Sequence, residues 1–259
     1  MIIDSHCHLA YQNNISKINQ KITRALDNDV THFLNICTKS DEFEILEDVS
    51  KNFNQVYFTL GIHPHESNET SFKIIEMIKK KSSNKSLVGI GETGLDFFYN
   101  HSDKKTQINS LEMHIELSQE LELPLIIHMR DAEDELIKIF SKRLKEKIFT
   151  GVIHCFTGTY KFSQVMLDMN FYISASGIIT FKKSHELRDT FKKIPLDNLL
   201  VETDSPFLTP EPFRGKENEP AYIVNTIKKL SEIHGIDYKD LCNITTKNFK
   251  NLFKKVCEN

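Results

Sequence analysis

Short apolar, β-branched runs recur along the whole chain, at residues 1–3, 32–36, 56–60, 87–90, 125–127, 151–153, 171–173 and 199–201. None alternates strictly between apolar and polar positions, so each suits a strand covered on both faces, as in a parallel sheet. Between the runs lie stretches whose apolar residues return every three or four positions, such as 15–26, 43–53, 72–80, 108–121, 133–140 and 186–193. That spacing predicts amphipathic helices. Alternating strands and helices imply an α/β domain with right-handed crossovers, and eight such units predict a closed (β/α)8 barrel. An open doubly wound sheet is the competing architecture, but neither GxGxxG nor GxxxxGK[ST] occurs. Two further helices, 223–233 and 238–253, follow the last strand and are expected to close the barrel's bottom or side. No linker or low-complexity tract interrupts the chain, so residues 1–259 read as one domain, with 206–220 as a long functional loop.

In a barrel of this kind, chemistry gathers where strands end at their C-terminal side. The first run delivers His6 and His8, the third His63 and His65, and the fourth Glu92 and then Asp96. The fifth delivers His128 and Arg130, the sixth His154, and the eighth Glu202 and Asp204. His6 and His8, two apart on a strand, project from one face and can chelate a divalent cation, whereas a hydrogen-bonded surface pair is the plain alternative. A carboxylate such as Glu92 at a buried strand end needs a cationic partner. Bridging two metals is the simplest account, with a salt bridge to Arg130 the lesser one. His128 and His154, each an ordinary core histidine if taken alone, become ligands of a second metal when taken together. In Glu202 and Asp204, one carboxylate can ligate metal and take a proton from attacking water while the other holds it in place. His63 and Arg130 suit phosphate oxygens. For His65 and Asp96 a structural role comes first, and Asp4 orients a ligand or caps the barrel interior.

Composition narrows the class. Apolar content of 39% excludes a disordered chain, and no apolar run is long enough for a bilayer helix. The N-terminus lacks a basic segment leading into an apolar one, so no signal peptide is expected. Five cysteines without a CxxC pair argue for a reducing, cytoplasmic setting. A net charge of −3 excludes a protein that coats duplex nucleic acid through bulk positive charge. Contact with nucleic acid must then come from a local site, helped by metal ions and a few basic residues; the double lysines at 104, 182 and 192 read first as solvated faces, with Lys182 and Lys183 after the seventh strand also able to reach a polyanion at the mouth.

The motifs together resemble one family. Met-Ile-Ile-Asp-Ser-His-Cys-His-Leu from residue 1, Leu-Gly-Ile-His-Pro-His from 60, Gly-Ile-Gly-Glu-Thr-Gly-Leu-Asp-Phe from 89 and Leu-Pro-Leu-Ile-Ile-His-Met-Arg from 123 are similar to the TatD metal-dependent deoxyribonucleases. So are His-Cys-Phe-Thr-Gly from 154, Leu-Leu-Val-Glu-Thr-Asp-Ser-Pro from 199, Phe-Arg-Gly-Lys-Glu-Asn-Glu-Pro from 213 and Asn-Phe-Lys-Asn-Leu-Phe from 248. The resemblance implies a TIM barrel of the amidohydrolase, metallo-dependent hydrolase type. Its metal ligands would be His6, His8, Glu92, His128, His154 and Asp204, holding two divalent ions, Mg in function with Zn or Mn as alternatives. It implies a 3′→5′ exonuclease on single-stranded or end-processed DNA and in some cases RNA, with proposed roles in DNA repair and fragmentation. Glu202 would join Asp204 and Glu92 at the catalytic centre. His63 and Arg130, with Arg214 and Lys216 on the 206–220 loop, would contact substrate. No membrane association and no obligate protein partner are expected. Two rival readings are a small-molecule amidohydrolase or lactonase, which would often bridge its metals with a modified lysine where Glu92 stands, and a non-catalytic metal-stabilised nucleic-acid scaffold, which would need a degraded ligand set.

Overall fold

A computed structural model of the chain describes residues 1–12, 14–99 and 101–258. Eight strands, β1 (Ile2–Cys7), β2 (Val30–Asn35), β3 (Val56–Leu60), β4 (Leu87–Asp96), β5 (Leu125–Arg130), β6 (Gly151–Ile153), β7 (Tyr172–Ala175) and β8 (Leu199–Val201), form one sheet. They are all parallel and lie in chain order, each paired with the next. The ring closes between β8 and β1 by a seam at the strand exits rather than by a full ladder. There Cys7 bridges to Ser205, the Asp204 N–H donates to the His6 carbonyl at 2.9 Å, and the His8 N–H donates to the Ser205 carbonyl at 2.8 Å. This is the (β/α)8 barrel that the eight apolar runs imply.

Around it lie α1 (Ile15–Leu26), α2 (Phe43–Asn52), α3 (Phe72–Lys81), α4 (Lys104–Leu121), α5 (Glu133–Glu146), α6 (Tyr160–Asp168) and α7 (His185–Phe191), followed by α8 (Ile223–His234) and α9 (Tyr238–Leu252). α6 carries Phe162, Val165 and Met166 at helical spacing, and its start is marked by Thr159, whose hydroxyl accepts the Phe162 N–H. α4 begins four residues ahead of the apolar pattern because Asp103 caps it, accepting the Thr106 N–H. No helix among the described residues is long and apolar enough to cross a membrane.

Two apolar layers follow from strand alternation. Facing inward, Ile3, Leu34, Val88, Ile126, Val152 and Leu200 pack with Phe249, Leu252, Phe253 and Val256, so α9 and the turn after it fill the barrel floor. Facing outward, Ile2, Phe33, Leu87, Leu125, Ile127, Ile153 and Leu199 pack against the helices. Lys255 pins this floor by donating to the carbonyls of Ser82, Asn84 and Leu87 at 2.7–2.9 Å.

Toward the opposite end the strands change character. Pairing slips register in β1 between Asp4 and Cys7, and in β4 between Ile90 and Thr93. Such irregularities re-aim side chains beside sites. β4 runs to Asp96, well past the apolar stretch at 87–90, because its second half carries polar and glycine residues toward the mouth. Glycine is required there. A Cβ on Gly94, at φ +142°, would lie 2.0 Å from the His128 carbonyl oxygen, so β4 and β5 approach closely just where Glu92 and His128 meet.

Candidate metal centre

Every strand-exit histidine singled out in the sequence reaches the mouth. Glu92 lies at its middle, 3% exposed, with its two oxygens facing different partners. Oε1 lies 2.8 Å from His154 Nε2, 3.0 Å from His128 Nδ1 and 3.4 Å from His63 Nε2. Oε2 lies 3.4 Å from His6 Nε2. Asp204 Oδ1 is 3.4 Å from His8 Nε2 and 3.7 Å from His6 Nε2. His8 sits one residue past the end of β1, yet its Nε2 comes within 3.3 Å of the His6 Nε2.

Three groups hold donor atoms close enough to share one cation: His6, His8 and Glu92; His63, Glu92 and His128; and His6, His154 and Glu202. The donors are imidazole nitrogens and carboxylate oxygens, which suit Zn, Mn or Mg. Hydrogen bonding tests the fit. His6 Nδ1 and Glu202 Oε2 are buried without a hydrogen-bond partner, His154 Nδ1 faces only Glu202 Oε1, at 3.4 Å, and buried polar atoms are rarely left so. A cation taken up by the His6, His154 and Glu202 group would meet part of that need.

The fields are strong. Burial alone would raise the Glu92 carboxyl, but His154, His63 and His128 hold it well below the ordinary carboxylate range. Burial opposes the charge of His154 too, yet Glu92 and Glu202 push it well above its usual value. At Asp204 burial is outweighed by His8 and His6, and the carboxyl is lowered. Burial prevails at His63, lowered to about 4 despite Glu92, which leaves a neutral imidazole.

Around the donors runs a supporting layer. Asp96 Oδ2 lies between His128 Nε2 at 3.1 Å and His65 Nε2 at 3.0 Å, while its Oδ1 accepts the N–H groups of Phe98 and Tyr99. It therefore fixes the ring whose Nδ1 meets Glu92, as carboxylates behind metal-ligating histidines do. Its position four residues after Glu92 on one strand was the only sequence signal for this role. Asp4, wholly buried, accepts the Thr203 N–H at 2.9 Å and the Thr203 hydroxyl at 2.5 Å. It ties β1 to the segment carrying Asp204, and burial pushes its carboxyl up to about 7 against those bonds. Glu202 Oε1 accepts the Cys155 N–H at 2.8 Å. Asp131, Cys155 and Asp204 follow strands β5, β6 and β8 with φ of 53°, 42° and 55°. Left-handed backbone at such side chains is costly and gathers at sites.

The basic candidates are placed unevenly. Arg130 lies at the rim with its guanidinium 4.1 Å from the Phe98 ring centre and 4.5 Å from that of Tyr99. Among the described residues no carboxylate pairs with it, and Glu92 is met by histidines instead. Arg214 lies over Phe181 at 3.9 Å and donates to the Thr209 carbonyl, and Lys216 lies over Phe213. Neither is brought into contact with the histidine cluster. Lys182 and Lys183 are exposed beyond β7.

Residues 3–254 match the family model described as TatD related DNase. The chain is 41% identical over 261 residues to an uncharacterized metal-dependent hydrolase of Buchnera aphidicola, covering 97% of this chain and 98% of that one. It is 32% identical over 238 residues to a protein of Escherichia fergusonii named 3′-5′ ssDNA/RNA exonuclease TatD, covering 90% and 91%. Among solved structures, YJJV, a TatD homologue from Escherichia coli K12, superposes with a TM-score of 0.90 at 25% identity, covering 98% of both chains.

Proposed function

Starting from the fact that the chain belongs to the TatD related DNase family of metal-dependent hydrolases, we propose that it hydrolyses phosphodiester bonds in single-stranded or end-processed DNA, removing nucleotides from the 3′ end. The observation that carries this reading is the split of Glu92, whose two oxygens face separate histidine sets. A carboxylate so placed suits a bridge between two cations, one held with His6, His8 and Asp204 and the other with His128 and His154.

Paired divalent ions, when bound, would supply Lewis-acid charge to the phosphoryl oxygens and ease ionisation of water. The chain's own residues do the rest. Asp204 is ionised and fixed between two imidazoles, so it takes the proton as water's oxygen bonds to phosphorus and the leaving ester oxygen departs. Glu202 holds the turn at Cys155 and the His154 ring behind it. The neutral His63, whose Nδ1 accepts the His65 N–H, turns its Nε2–H toward Glu92 beside the substrate, and Arg130, with no carboxylate partner among the described residues, offers a paired donor at the rim. Arg214 and Lys216 stand farther out, where they meet the trailing strand. The name of the Escherichia fergusonii relative supports the same substrate class and extends it to RNA.

The test is hydrolysis of end-labelled single-stranded DNA and RNA by purified protein with Mg, Mn or Zn, beside a chelator control. A ladder shortening from the 3′ end, abolished by chelation, is the expected result. Metal-loaded protein that leaves both substrates intact would overturn the proposal.

A further inference from the structure

Among the described residues five Phe and Tyr side chains are exposed: Tyr11, Phe72, Phe98, Tyr99 and Phe207. Four of them gather at the mouth in two pairs. Tyr11 follows β1 and meets Phe207, beyond β8, edge to face at 5.7 Å between ring centres. Phe98 and Tyr99 follow β4 and meet edge to face at 4.8 Å, with Arg130 of β5 against both rings. The fifth, Phe72, opens α3 and makes no ring contact with the others.

Strand order places the two pairs. β1 and β8 adjoin across the seam, and β4 and β5 are four places away in a ring of eight, hence on the opposite rim. The donor cluster lies between. Phe207 comes within 6.1 Å of the His8 ring on one side, and Tyr99 within 5.6 Å of the His65 ring on the other. Tyr11 is 64% exposed, Phe98 53%, Tyr99 51% and Phe207 47%. Solvent contact of this size on aromatic rings is unfavourable unless something covers them. The cover must be flat, apolar on its faces and linked to an anion that reaches both Arg130 and a cation site.

We infer that the two pairs are base-stacking platforms, one on each side of the bond that is cut, which hold an unpaired nucleic-acid strand across the mouth. The inference rests on the phosphodiesterase reading of the cluster and adds to it where the bases lie. Stacking on aromatic rings is indifferent to sequence but needs bases free of their duplex partners. It therefore selects a single strand without any extended basic surface, in keeping with the chain's net charge of −3. A strand held on both rims must carry a base on each side of the cut.

The probe is a short DNA strand with phosphorothioate links that resist cleavage and one 2-aminopurine among abasic sites, placed either at the 3′ terminal nucleotide or a few nucleotides inward. Metal-loaded wild-type protein should quench the fluorescence of both probes. Tyr11→Ala and Phe207→Ala should abolish quenching at one position, and Phe98→Ala and Tyr99→Ala at the other, each weakening binding about five- to a hundredfold with metal content unchanged. Phe207→Trp should restore quenching and Phe207→Leu should not. Quenching retained in all four alanine variants, or restored equally by Leu, overturns the platforms, while cleavage of the unmodified strand would leave the phosphodiesterase reading standing. If loaded wild-type protein neither binds nor cleaves any oligonucleotide, both fall.

Discussion

His114 offers a test of the fold that is independent of metal. It lies wholly buried in α4, its Nδ1–H donating to the Ser110 carbonyl at 2.7 Å and its Nε2 accepting the Ile62 N–H at 3.1 Å. The ring thus holds the chain beside His63. Burial lowers it from 6.5 to about 4, against the Ser110 bond. Above pH 6.5 it is neutral folded or unfolded and adds no pH dependence. Between 6.5 and 4 the unfolded chain takes up a proton that the folded one refuses, so stability falls as the solution is acidified. Such a difference corresponds to about 3 kcal/mol by pH 4. His114→Leu removes that loss but leaves the Ile62 N–H without an acceptor, costing about 1–3 kcal/mol. The Ser110 carbonyl keeps its helical bond. Urea unfolding of chelated protein at pH 7, 5.5 and 4 should therefore find the variant less stable at pH 7 and equal to or more stable than wild type at pH 4. Carboxylates such as Asp96 and Glu92 titrate in both proteins and cancel in the difference. A stability gap that stays constant from pH 7 to 4 would refute the argument.

Other expectations can be checked together. Glu92→Gln should lose at least one bound ion by elemental analysis and slow hydrolysis about a hundred- to a thousandfold, while circular dichroism stays that of the barrel; full metal content with full rate would contradict the bridging role. Gly94→Ala should destabilise by more than about 2 kcal/mol, read as a lowered Tm, because its Cβ would meet the His128 carbonyl at 2.0 Å. Arg130→Ala should raise KM about tenfold or more with metal content intact, whereas Asp204→Asn should lose kcat far more than DNA affinity. Identical kinetic defects in those two variants would erase the division between holding phosphate and moving the proton.

The barrel was legible because its strands are short, uniformly apolar and evenly spaced. The mouth was legible because six histidines and several carboxylates fall at strand exits, where the fold itself gathers them. What stayed hidden depends on contacts between distant segments. Nothing near His114 in sequence announces that Ile62, 52 residues away, supplies its donor. Asp96 looks structural until β4 and β5 are paired, which brings it to His128 across Asp96↔Arg130 registry. His63, expected to touch only substrate, also joins a donor group with Glu92 and His128, because its Nε2 points at the same oxygen as theirs. Arg214 and Lys216 lie on the loop where the sequence puts them, but each sits against an aromatic ring, Phe181 and Phe213, a contact that spacing does not announce.

The seam between β8 and β1 joins two properties that are usually separate. The bonds closing the ring run through Asp204, His6 and His8, and Asp4 grips Thr203 beside them. Any cation gripping those side chains also clamps the place where the cylinder is least laced. Local opening there must break the coordination first, so loading suppresses the opening by the binding free energy. The amide protons of His8, Thr203 and Asp204 thus become gauges of occupancy. They should exchange with solvent more slowly in metal-loaded protein than in chelated protein, a difference that hydrogen exchange reads directly.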